Sequence, residues 1–151
     1  AVMIGVPLNA PAFHPFNPLL ALRVSSLPVQ AAQKWKLVDA LFAAVWVRGM
    51  HITNSTVVEQ VANKAGLDGT ALVAQASQSE CKAQLRMQTD QAIADGVFGV
   101  PTMAVDDELF WGYDDFAFLQ SFLDGADPVD AMNWSNAAGS LRSSATRGKT
   151  S

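Results

Sequence analysis

The stretch GVFGVPTMAVDDELFWGYDDFAFLQSFL, Gly96 to Leu123, decides the fold. Over TMAVD and ELFW the apolar residues fall at period two, the mark of two short strands. Asp106-Asp107 sits between them as a hairpin turn. Pro101 stands just before the first strand. DDFAFLQSFL then reads as an amphipathic helix, with Phe116, Leu119, Phe122 and Leu123 expected to face a core. Two strands and one helix are too few to build a domain alone, so the rest of the fold has to be sought upstream.

Upstream the pattern is helical. Pro7, Pro11, Pro15 and Pro18 favour extended chain. Pro18 suits the first turn of a helix through LLALRVSSL, with Asn17 as its cap. In VQAAQKWKLVDALFAAVWVRG, Trp35, Val38, Leu41, Phe42, Val45 and Trp46 recur at helical spacing. Leu37, Ala40 and Ala44 widen that face, which predicts a helix buried on most sides. Gly49 ends it. Asn54 is a cap for the next helix, and Thr56 with Glu59 is a rival capping box. Val58, Val61, Ala62 and Ala65 are its inward face, and Gly66 stops it. Asp68 caps a short helix to about Ala76. Ser79 is the expected cap of a further helix, with Cys81, Leu85, Thr89 and Ala92 on one face. The expected organisation is a mainly helical part over 1–96, the hairpin and closing helix over 97–124, and a disordered tail over 125–151. The opening AVMIGVPLNAP resembles the last turn of a helix running into extended chain.

Composition narrows the function. The chain has 151 residues, half of them hydrophobic and 16% charged, which suits one soluble globular domain. A net charge of -4 and no basic patch argue against nucleic acid. No apolar run is long enough for a membrane span, and no signal peptide is visible. The single cysteine, Cys81, excludes an internal disulfide and a CxxC pair. A reducing cytoplasm is the expected compartment. His14 and His51 lack metal-ligand spacing to each other or to Cys81 and read as surface residues. Cys81 reads as a small core residue.

GVFGVPTMAVDDELFWGYD resembles the C-terminal half of a thioredoxin-type domain. More narrowly, it is similar to the 2-hydroxychromene-2-carboxylate isomerases, relatives of kappa-class glutathione transferases and of DsbA-like oxidoreductases. The similarity lies in Gly96 to Thr102 and in Phe110-Trp111-Gly112. FNPLLALR, Phe16 to Arg23, and FAAVWVRG, Phe42 to Gly49, resemble the family's other recurring stretches in the same order. The match runs to about Leu123. It implies an α-rich α/β fold, thioredoxin-like of the DsbA/kappa type, with an all-helical insertion. Of that fold the chain would hold the insertion and the C-terminal β-hairpin plus helix. The first βαβ part of the family fold finds no counterpart, so a chain truncated at its front is expected.

The resemblance also implies a site. A Pro in the cis form before the strand, here Pro101, would present the backbone of Val100 to the cysteinyl backbone of glutathione, as an added strand. The plainer alternative is that Pro101 starts an edge strand. Tyr113 and Asp114 fall where the last strand meets the last helix. That helix start would take the γ-glutamyl carboxylate of glutathione and Asp114 its ammonium group. An Asp there is otherwise an ordinary cap. The family has an Asp-Arg pair at this point, and this chain has Asp114-Asp115. Asn17 matches a residue near the family's substrate, or is only a helix cap. Trp111 is the better candidate for an aromatic substrate pocket, while Trp35 and Trp46 at helical spacing fit a core.

In the family the nucleophile is the glutathione thiol, held as thiolate by a Ser after the first strand. It adds to an unsaturated carbon, a bond rotates, and elimination returns glutathione. That interconverts 2-hydroxychromene-2-carboxylate and its open-chain trans benzylidenepyruvate isomer. Ser25, Ser26, Ser77 and Ser79 do not follow a first strand, so no catalytic residue is assigned and weak or no isomerase activity is expected. The implied cofactor is glutathione and the implied partner a small aromatic carboxylate. Two alternatives stand beside this reading. One is a DsbA-like dithiol oxidoreductase, against which the lack of CxxC counts, although that motif would sit in the part of the family fold that has no counterpart here. The other is a non-enzymatic binding module whose open hairpin edge is covered by strand pairing in a homodimer.

Overall fold

The computed structural model describes residues 5–126. The helical turn expected at the opening four residues and nearly all of the expected tail lie outside the described residues. The chain divides into two compact units, Ala1–Asp95 and Gly96–Ser151.

The first unit holds five helices: α1 (Leu19–Ser26), α2 (Ala31–Trp46), α3 (Ser55–Lys64), α4 (Gly69–Ala76) and α5 (Ser79–Ala94). Its core is one cluster running from Ala21 to Cys81, with Val24, Leu37 and Val58 as the largest fully buried side chains. The caps sort the alternatives. The Asn54 side chain accepts from the Thr56 N–H at 2.9 Å, so the Asn cap starts α3. Asp68 accepts from the Ala71 N–H at 2.9 Å and starts α4. Ser79 is not a cap. It is the first residue of α5, behind Gln78, which makes no side-chain capping bond.

α3 and α4 meet at Gly69, which is buried. A Cβ there would run into the Glu59 carbonyl oxygen, and the Gly69 N–H donates to Asn63 Oδ1 at 2.8 Å. Upstream of α1, Asn9 closes the end of α2: its backbone N–H donates to the Trp46 carbonyl and its Nδ2 to the Val47 carbonyl at 2.7 Å.

Two helices bury less than their sequences predict. α2 buries Leu37, Leu41, Ala44 and Val45, while Trp35 is 70% and Phe42 63% exposed. Leu37, Leu41, Ala44 and Val45 already form a complete stripe at i, i+4, i+7 and i+8. Trp35 and Phe42, seven residues apart, make a second apolar stripe that this core does not use. In α5 the buried residue is Cys81, whose Sγ lies 3.8 Å from the Arg23 carbonyl oxygen. Leu85 and Ala92 are half-buried and Thr89 is exposed.

The second unit is an antiparallel hairpin, β1 (Thr102–Val105) with β2 (Glu108–Trp111), followed by α6 (Phe116–Leu123). The register pairs Thr102 with Trp111 and Val105 with Glu108, leaving Asp106-Asp107 as the turn. Asp106 takes φ +52°, the left-handed backbone a tight hairpin needs. No residue of α6 is buried. Leu119 and Phe122 are half-buried, but Phe116 and Leu123, expected inside, are exposed. The physical reason is area. Among the described residues of this unit Phe110 is the buried side chain, with the Phe122 ring 5.6 Å from it, and two strands have little more face to offer. Among the described residues no helix is long and apolar enough to cross a membrane.

Candidate functional site at the end of the hairpin

The open end of the hairpin is built by contacts between the Gly96–Pro101 loop and the end of β2. The Pro101 carbonyl accepts from the Gly112 N–H at 2.9 Å, which extends the ladder one step past Thr102–Trp111. The Thr102 hydroxyl donates to the Gly99 carbonyl at 2.7 Å and folds the loop back. Gly99 lies against the Trp111 indole so closely that a Cβ would collide with Nε1. Phe98 packs on the other side, its ring 5.4 Å from Trp111.

These contacts leave Val100 at the apex. The Val100–Pro101 peptide is cis, and Val100 is 86% exposed. Among the described residues its N–H and C=O find no hydrogen-bond partner. A backbone donor and acceptor standing free beside a ladder can take an extended peptide.

After β2 the chain turns through Gly112 (φ +77°) into α6. Asp115 is the residue before the helix, but its carboxylate does not cap it. It turns back and accepts from the Trp111 N–H at 2.6 Å. Asp115 therefore ties the strand end down, which is work the Asp-Arg pattern does not predict. Asp114 does not cap either; it is exposed. Tyr113 is exposed, with its ring edge-on to Phe116 at 5.5 Å. The structure thus brings Val100, Pro101, Trp111, Tyr113 and Asp114 to one end of one hairpin.

Asn17 belongs to the helical unit. Its Oδ1 accepts from the Leu19 N–H at 2.9 Å, so it does the capping work the sequence assigned to it as the plain alternative. Its neighbours Phe16 and Pro18 line an apolar cavity of about 240 Å³, with Leu22, Phe42 and Trp46. The sequence reading assigned Phe42 and Trp46 to the core and did not find this cavity. The signal was present in the excess apolar width of α2. Both histidines are exposed, as expected, and each lies against an aromatic ring. His51 stacks on Phe13 at 3.4 Å, and His14 lies 5.9 Å from the Trp46 ring. Among the described residues no group of His, Cys, Asp or Glu is placed to hold a metal ion.

Comparison with known proteins gives the family. The family described as DSBA-like thioredoxin domain matches residues 1–124. The chain belongs to the DSBA-like thioredoxin family. A DSBA-like domain accounts for a helix-rich fold with a two-stranded sheet at its end. Among curated relatives, a 2-hydroxychromene-2-carboxylate isomerase of Pseudomonas putida is 33% identical over 122 residues, 80% of this chain and 59% of the relative. Proteins of the same name from Sphingobium xenophagum and Pseudomonas sp. (strain C18) are each 35% identical, over 86 and 99 residues. They cover 57% and 66% of this chain, and 44% and 46% of the relatives. The solved structure of a 2-hydroxychromene-2-carboxylate isomerase superposes with a TM-score of 0.75 at 30% identity, covering 87% of this DSBA-like chain and 64% of that one. The chain spans about half the length of the curated relatives it matches.

Proposed function

We propose that this DSBA-like chain serves a glutathione-dependent cis-trans isomerisation of 2-hydroxychromene-2-carboxylate type, in cytoplasmic breakdown of aromatic hydrocarbons. The observation that carries the reading is the 33–35% identity to three isomerases of that name. Glutathione would supply a thiol nucleophile. The residues that would hold it are those at the hairpin end. Val100 offers an unpaired backbone N–H and C=O, the complement of a cysteinyl backbone in an added strand. Asp114 offers an exposed carboxylate for an ammonium group. Tyr113 stands beside it, and Trp111 offers a half-exposed indole to an aromatic substrate. The apolar cavity of the helical unit, lined by Phe16, Pro18, Phe42 and Trp46, is by itself of a size and lining that suit an aromatic ring. Dithiol–disulfide chemistry draws no support from these residues, because the one cysteine, Cys81, is buried and free.

The test has two readouts. Titrating glutathione into the labelled chain should move the amide resonances of Val100, Trp111 and Asp114, and Asp114→Asn should weaken binding several-fold. Unmoved amides at millimolar glutathione would sink the cofactor assignment. Separately, the ultraviolet spectrum of 2-hydroxychromene-2-carboxylate should shift to that of its trans isomer faster with chain plus glutathione than with either alone. An equal rate without glutathione would remove glutathione dependence from the proposal.

A further inference from the structure

α1 and α5 form a groove of about 440 Å³ within the helical unit. Its floor is apolar, from Leu19, Leu22 and Leu85, and three cations converge on it: Arg23, Lys82 and Arg86. The sequence sets this up. Leu19, Leu22 and Arg23 share one face of α1 at i, i+3 and i+4, and Lys82, Leu85 and Arg86 share one face of α5 in the same way. Such a convergence is unusual in a chain of net charge -4. Lys82 and Arg86, four residues apart, repel each other along the helix. The groove holds one acid, Asp90, at 3.7 Å from Arg86 Nε in a well-exposed pair. That contact leaves Arg23 and Lys82 without a carboxylate among the described residues.

Arg23 lines the groove with no carboxylate beside it among the described residues. Its Nε is buried without a hydrogen-bond partner and is closed to a ligand as it is to water, so what the groove offers is the uncompensated charge of the guanidinium, not that N–H. α5 supports the same conclusion. A helix of sixteen residues that buries only Cys81 is held weakly by its own core, so its groove-facing residues are not explained by packing.

We propose that the α1–α5 groove binds an organic carboxylate with an apolar body, its head group on Arg23 and Lys82 and its tail on Leu19, Leu22 and Leu85. The volume falls in the range of small-molecule sites. The pairing of cations above an apolar floor selects an amphiphile over a bare anion: phosphate would find the charges but leave the leucines wet, and a neutral alcohol would do the reverse.

The test uses the full chain with three probes: decanoate, decanol and inorganic phosphate, each followed by amide and side-chain resonances. Decanoate should shift the signals of Leu22, Arg23, Lys82 and Leu85, with affinity at least tenfold above decanol and phosphate. Arg23→Gln with Lys82→Gln should lower decanoate affinity tenfold or more, at unchanged helical circular dichroism. A single Leu85→Gln, on an already half-exposed position, gives a second readout that should weaken decanoate and leave phosphate as it was. Equal affinity for decanol would overturn the proposal in favour of an apolar groove, and equal affinity for phosphate in favour of a bare anion site. Shifts confined to the residues of the α1–α2 cavity would overturn it as well.

Discussion

Gly99 and Asp115 do the positioning at the hairpin end, and neither carries the chemistry itself. Gly99 lets the Trp111 indole lie flat against the loop, because any Cβ would occupy the place of Nε1. Gly99→Ala should therefore displace the indole or open the loop. The expected cost is about 1–3 kcal/mol, as for other overpacked sites, read as a lower urea midpoint for the hairpin amides and a moved Trp111 side-chain N–H signal. An unmoved signal would show that the loop yields at no cost. Asp115 fixes the other side of the same strand end through the Trp111 N–H. Val100, Pro101 and Trp111 were reached through the resemblance of GVFGVPT and FWG to one family; by itself a Pro at a strand start reads as an edge strand. Asp115 was out of reach. Its carboxylate points backward along the chain, whereas an acid before a helix is ordinarily read forward, as a cap.

The elements themselves were largely legible, since the six helices and the hairpin each carry a period, a cap or a breaker. What the periods could not say was how much of each apolar face would find a partner. Trp35 and Phe42 on α2, and Phe116 and Leu123 on α6, fit a core pattern and stay in solvent. Periodicity tells which residues share a face; area supplied by other elements decides whether that face is covered. The α3–α4 contact shows the opposite limit. The sequence marks the start of α4 by the Asp68 cap and says nothing of Gly69, whose smallness is required by the Glu59 carbonyl it touches. Gly69→Ala should lower stability by about 1–3 kcal/mol, since backbone cannot step aside as a side chain would; a melting temperature equal to the parent's would reject this. The start of α5 gives a pH test. Glu80 sits below its ordinary 4.5 because of its own backbone N–H first and the Ser79 hydroxyl second. A lowered carboxylate contributes above its unfolded value and loses that contribution as pH falls through the folded one. The amides at the start of α5 should then lose exchange protection on acidification below the ordinary carboxylate range, and Glu80→Gln should flatten that dependence. Equal slopes in both proteins would refute it.

On the scale of the molecule, stability is concentrated in the helical unit. The core cluster runs from Ala21 to Cys81, wholly within Ala1–Asp95. A chain of residues 1–95 should keep its helical circular dichroism and unfold cooperatively, whereas a peptide of residues 96–126, with Phe110 as its buried side chain, should not fold by itself. A non-cooperative 1–95 fragment would reverse that assignment. The fold class was readable because three separated stretches agree with one family in one order. The division of labour was not, because it depends on how much surface each element buries.

Asn9 adds a consequence of timing. It is made before the carbonyls it serves, those of Trp46 and Val47. Its partners do not exist until nearly forty further residues have been made, and closing so long a loop is entropically slow against helix formation within α1 and α2. The arm leaves the ribosome before α1 and α2 and is fastened only after them. Until then the end of α2 is open to water, and a chaperone or a protease would meet the nascent chain there.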